Sequence, residues 1–161
     1  MNAIGTQSKL NARRSLIFVS ILYLFNAALG TMMAVRENLP SVLITNFSTG
    51  KPALEDFLTG NGTALSPPLY LYLVAVLFLI LSCLPKRLGT VGVAGLTILG
   101  MIFLLGEFAE KLTYRVFNPV SFDLSLALVE LAAFVLPLLM IAFGGLEIAR
   151  RRRAHRQGAI I

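Results

Sequence analysis

The sequence predicts an all-α integral membrane protein, a four-transmembrane-helix bundle with both termini in the cytoplasm, and three observations predict it. Apolar residues make up 57% of the chain and charged residues 14%, against ~45–50% and ~25% in a soluble domain. A sphere of 161 residues has too much surface to hide that many apolar side chains from water, so lipid must cover them. The apolar residues gather into four runs, each near the ~20 residues that cross a bilayer. The lysines and arginines fall into alternate connections, ten on one side and four on the other.

The first run, residues 15–35, is uncharged throughout. Lys9, Arg13 and Arg14 before it and Ala28-Leu29-Gly30 within it also fit a signal peptide with a small-residue cleavage site. The run continues through Met32, Met33 and Val35, longer than most signal cores, which favours a retained helix. The second run, 68–84, opens at Pro67-Pro68 and closes at Pro85. The connection Pro85-Lys86-Arg87 leaves room only for a tight hairpin into the third, 88–112. There Phe108 and Leu112 continue the helical spacing, Glu107 and Lys111 form an i,i+4 pair, and Asn118-Pro119 supplies the stop. The fourth run, 122–148, is interrupted by Asp123, Glu130 and Glu147. Residues 1–161 thus read as a single membrane domain, with an outer loop over 36–66 and a basic cytoplasmic tail over 149–161.

Orientation follows from the basic residues. Lys9, Arg13, Arg14, Lys86, Arg87, the run Arg150 to Arg153 and Arg156 share one side, leaving Arg36, Lys51, Lys111 and Arg115 opposite. The richer side is cytoplasmic, in a cell membrane. The outer loop mixes an apolar stretch (Val42, Leu43, Ile44) with turns at Thr49-Gly50 and Gly60-Asn61-Gly62, so part of it packs on the membrane or over the bundle mouth. Asn46 and Asn61 match the glycosylation pattern, with turn formation the simpler reading. Cys83, the only cysteine, reads as a small buried hydrophobe, with palmitoylation as the rival.

Polar residues inside the membrane mark the candidate site. Glu130 lies about two turns into the fourth helix, roughly 10 Å from its outer end. An ionisable group at that depth costs at least a few kcal/mol unless it faces protein or water. It is either a protonated acid bonded to a neighbouring helix as packing glue, or a proton-linked or cation-binding carboxylate. Steps of seven place Asp123, Glu130, Pro137 and Gly144 on one face. Asn26, an amide in mid-membrane, must find a partner on another helix, with Glu130 a candidate. Glu107 and Glu110 either frame an outer vestibule with Asp123 or are simply solvated. Gly89, Gly92, Gly95, Gly100 and Gly106 share an arc of about 140° on the third helix, a close-packing face. Gly92, Gly95, Gly100 and Gly144 are therefore the expected packing positions.

The sole histidine is His155, in the tail, so a His-ligated haem or zinc site within the bundle is not expected of the monomer. Neither a P-loop nor a dinucleotide fingerprint is present. No cofactor or metal is expected, and an enzyme would have to work with carboxylates, tyrosines and serines. In topology alone the chain resembles claudin-like and DoxX-like proteins. The tryptophan and paired cysteines of the former are missing, and no motif of the latter matches. Small multidrug transporters carry their membrane glutamate in the first helix, which here holds no acid. The leading expectation is a non-enzymatic accessory or interaction subunit. The alternative is a small transporter or binding protein for a cation or hydrophobic molecule, using Glu130. The expected partners are the lipid bilayer and a membrane protein or second copy, and not nucleic acid.

Overall fold

The computed structural model describes residues 3–43, 45–116 and 123–158, with the side chains of 12–43, 45–85, 87–113 and 123–154. The regular structure of these residues is helical: α1 (Ala3–Glu37), α2 (Ala53–Thr59), α3 (Leu69–Cys83), α4 (Lys86–Ala109), α5 (Lys111–Val116) and α6 (Leu124–Gly158). Three of them, over Ala12–Glu37, Arg87–Ala109 and Leu124–Ala154, are long and apolar enough to cross a membrane. α3 has 15 residues, about 22 Å at 1.5 Å per residue, short of a ~30 Å hydrocarbon core.

Prolines set the length of α3. Pro68 precedes it with extended backbone, and Leu84, also extended, stands before Pro85, a position where proline disfavours helical geometry. Arg13 then serves the last carbonyls of α3. Its Nε donates to Ser82 O at 2.7 Å and a terminal nitrogen donates to Leu84 O at 2.8 Å, a cation at the negative end of a helix. Cys83, at that end of α3, is exposed rather than buried. At its other end α1 stops in a Schellman turn. Asn38 takes φ 50°, with Leu39 N bonded to Ala34 O at 2.8 Å and Asn38 N to Val35 O at 3.3 Å.

α4 packs against α3 and α6, and α6 against α1. Between them lies an apolar core of Leu16, Val19, Tyr23, Ala75, Val93, Leu96, Phe103 and Met140. The glycine arc of α4 serves two neighbours. A Cβ at Gly92 would strike the Leu81–Ser82 main chain of α3, and one at Gly95 the Phe78 ring. One at Gly100 would lie 3.1 Å from Pro137 O and from Met140 Cβ of α6, and Gly144 of α6 abuts Thr97 of α4. A Cβ at Gly106 would meet nothing within 4 Å. Facing outward are large apolar side chains on every long helix, among them Phe18, Leu73, Leu105 and Leu138.

Residues 38–43 and 45–68 fold over one end of the helices, here the loop end. Leu65 is seated so closely on Gly30 of α1 that a Cβ there would strike its carbonyl oxygen. Asn38 Oδ1 accepts from Ala53 N at 3.0 Å, starting α2. The opposite, basic end holds Arg13, Arg14, Arg87 and the run Arg150 to Arg153. Ion pairing lets α6 run through that tail without a break at 148: Glu147, buried, meets Arg150 and Arg151 at 2.8 Å each, and Arg151 also donates to Thr90.

The expected helix over 88–112 is broken. α4 stops at Ala109 because Glu110 is drawn into extended geometry. Leu43 bridges to it, Val42 N donates to its Oε1 at 2.9 Å, and Lys111 N donates to Val42 O at 2.9 Å. Lys111 does not pair with Glu107; its Nζ donates to Asn46 Oδ1 at 2.7 Å. The expected stop at Asn118-Pro119 and the expected start at 122 lie outside the described residues.

Candidate functional site

At the loop end, three glutamates come together without a cation among the described residues. Glu107, near the end of α4, is 7% exposed, Glu110 6%, and Glu130 of α6 fully enclosed. The break after Ala109 places α5 against α6, bringing Thr113 onto Glu130. Thr113 Oγ1 lies 3.4 Å from Glu130 Oε2 and 3.2 Å from Glu107 O. One hydroxyl proton faces two acceptors at long distances, so Glu130 Oε2 is weakly held. Glu130 Oε1 is buried with no hydrogen-bond partner among the described residues. Its carboxyl also lies beside that of Glu107, close enough for the two to share a proton. A buried carboxyl so poorly served costs of order 1–3 kcal/mol relative to a satisfied one.

Glu110 is better held. Ser41 Oγ donates to its Oε2 at 2.7 Å, and Val42 N and Lys111 N donate to Oε1 at 2.9 and 3.2 Å. Burial nevertheless pushes its carboxyl above the ordinary value, against the pull of those donors toward the charged form.

Glu107 and Glu110 line a cavity of about 250 Å³ between α1, α3, α4 and the loop. Its aromatic wall is Tyr23, stacked on Phe103 with centroids 4.4 Å apart, with Tyr70 also lining it. Two of its hydroxyls, Thr63 and Ser66, belong to a chain reaching from α3 to the loop. Tyr72 Oη lies 3.0 Å from Thr31 Oγ1, Thr31 Oγ1 2.8 Å from Ser66 Oγ, and Ser66 Oγ 2.8 Å from Thr63 Oγ1. No three His, Cys, Asp or Glu side chains among the described residues converge as metal ligands.

Of the positions expected from the sequence, Glu130 and Glu107 meet here, and Glu107 is buried rather than solvated. Asn26 is adjacent: its Nδ2 donates to Val129 O at 3.1 Å, beside Glu130 but not to it. Asp123 is not part of the site. It precedes α6 as an exposed cap, its Oδ1 accepting from Ser125 N, Ser125 Oγ and Leu126 N. Those bonds, the Ser125 hydroxyl foremost, hold its carboxyl below the usual range. The seven-residue seam therefore begins at Glu130. Gly92, Gly95, Gly100 and Gly144 lie at helix contacts away from the glutamates. Thr113 and Ser41 carried no signal in the sequence. Glu110 did, being three residues from Glu107 on a helical count, but only its pairing with Val42 and Leu43 buries it.

Known protein families, curated proteins and solved structures were all compared with this chain. None matches it.

Proposed function

We propose that the chain crosses the membrane four times, with both termini in the cytoplasm, and acts as a non-enzymatic membrane subunit binding a small organic cation beneath its outer loop. Four crossings are supported by α3 itself. It packs against α4 and α1, and its other face exposes Leu73, Val76, Leu77 and Ile80, a surface suited to lipid. A bilayer thins or flanking residues snorkel around a short span at modest cost. The ten basic residues of one end support the orientation. In a background free of Cys83, a reporter cysteine at Thr49 should label from outside, and reporters at Arg87 and Gln157 should not.

The binding reading rests on one observation. Glu130 presents an unpartnered buried oxygen beside Glu107, which lines the cavity. Carboxyls of this kind are normally paired, so the missing positive charge is read as the ligand's. About 250 Å³ is the liquid volume of roughly eight waters, enough for a small alkylammonium ion. Tyr23, Phe103 and Tyr70 offer ring faces for its apolar arms and its charge. Binding is favoured over transport because the layer toward the basic end, Leu16, Val19, Val93, Leu96 and Met140, is apolar and buried, and its buried hydroxyls, Ser20 and Thr97, are turned onto carbonyls of their own helices.

The test is thermal unfolding and titration calorimetry of the detergent-purified chain with alkylammonium and sodium chlorides. An alkylammonium ion should raise the midpoint saturably where sodium does not. Glu107→Gln and Glu130→Gln should each fold and lose that response. Absence of any response, or one unchanged in both variants, would leave the glutamates as neutral packing groups.

A further inference from the structure

The four consecutive arginines at the end of α6 are divided by their surroundings. Arg150 and Arg151 turn onto Glu147. Among the described residues that is the only acidic side chain at the basic end, the other seven lying toward the loop end. Arg152 and Arg153 make no ion pair among the described residues and are exposed. They form the lip of a surface groove of about 340 Å³ whose floor is Gly145, Ile148 and Ala149. These positions recur at steps of three and four, so floor and lip lie on one face of the helix. A Cβ at Gly145 would meet nothing within 4 Å, leaving a notch open to the surroundings, and the adjoining Leu146 is 61% exposed.

We infer that this face is a seat for one acidic phospholipid, its acyl chain on Gly145, Ile148 and Ala149 and its headgroup phosphate between Arg152 and Arg153. Long basic side chains lie along apolar surface while their heads reach the interface, the geometry such a lipid needs. An anionic headgroup is selected over a zwitterionic one because, among the described residues, no acidic side chain is left at this end to compensate the two guanidiniums. A second groove of the same make lies at the α3–α4 turn, where Leu84, Pro85 and Leu88 adjoin Arg87. The seat is independent of the cation cavity and of the orientation.

The experiment is native mass spectrometry of the full chain in neutral detergent, titrated with phosphatidylglycerol or phosphatidylcholine. Wild type should hold one phosphatidylglycerol in preference to phosphatidylcholine. Arg152→Gln with Arg153→Gln should weaken that lipid about thirtyfold, ~2 kcal/mol at ~1.4 kcal/mol per tenfold, consistent with ~1 kcal/mol per basic group. Arg36→Gln, at the loop end, should leave it unchanged. Equal retention of both lipids by wild type would overturn the inference. So would an equal loss in Arg36→Gln. Displacement by soluble glycerol phosphate at the lipid's own concentration would overturn it too, since the site would then be an anion site without a chain seat. Unaltered helix content by circular dichroism distinguishes lost binding from misfolding.

Discussion

Replacing single glycines by alanine grades the helix contacts by what each new methyl meets. At Gly92 it would lie 2.5 Å from the Leu81 carbonyl carbon and 2.6 Å from Ser82 Cα. These are main-chain atoms of α3, so only a shift of the whole helix relieves the clash. At Gly144 it would strike Thr97, whose Oγ1 is tied to Val93 O at 2.7 Å; turning that side chain away breaks a buried bond. At Gly100 the nearest atoms stand at 3.1 Å, a displacement of a few tenths of an ångström. At Gly145 nothing lies within 4 Å. Overpacking typically costs ~1–3 kcal/mol, and alanine in place of glycine in a helix returns up to ~1 kcal/mol. Gly92→Ala should therefore lose about 2 kcal/mol, Gly144→Ala about 1 kcal/mol and Gly100→Ala close to nothing, while Gly145→Ala is neutral or stabilising. Unfolding in mixed micelles, followed by circular dichroism, measures the series. A Gly92→Ala variant as stable as wild type, or less damaging than Gly145→Ala, would refute the contact between α4 and the end of α3.

Arg13→Gln should destabilise the chain by about 1–2 kcal/mol, the range for charged hydrogen bonds discounted for partial exposure. Arg13→Lys should recover only part, since an ammonium cannot fork to both carbonyls; full recovery would contradict the cap. Two carboxyls should respond to pH with opposite signs. Glu110 sits above its ordinary value, so its contribution is complete below that value and fades as pH rises through the elevated one. The thermal-midpoint difference between wild type and Glu110→Gln should therefore change as pH rises above the ordinary glutamate value, and a constant difference would refute the burial. Asp123 is held low, so its cap persists above the ordinary range and fails only as pH falls through the depressed value. Asp123→Ala should speed amide exchange at Ser125 and Leu126 at neutral pH, and unchanged rates would argue against the cap.

Hydropathy made the long helices legible, because lipid imposes one requirement on every exposed position. What it hid came from contacts distant in sequence. Helical spacing through Phe108 and Leu112 argues for an unbroken helix, and only the pairing of Val42 and Leu43 with Glu110 and Lys111 breaks it. That break then delivers Thr113 to Glu130, so the site's environment depends on a contact invisible in local pattern. Asp123 was misplaced because counting by seven presumes a helix already begun, whereas α6 starts one residue later. The glycine face was legible as a face, but an arc that wide spans two neighbours, and the sequence holds no record of which. The arginine run reads as a tail until Glu147 is seen to neutralise its first members, after which arginine's good helix propensity carries α6 onward.

The apolar layer beneath the cavity has an electrical consequence. Across a bilayer, a potential falls mainly where polarisable groups and water are missing, and here that is the slab of Leu16, Val19, Val93, Leu96 and Met140. A unit charge carried across the whole drop exchanges ~2.3 kcal/mol per 100 mV. Under the binding proposal, a cation resting at Glu107 would stop on one side of the slab and sample little of that drop. Occupancy of the cavity should follow the concentration in the adjoining solution and ignore whether the membrane is energised.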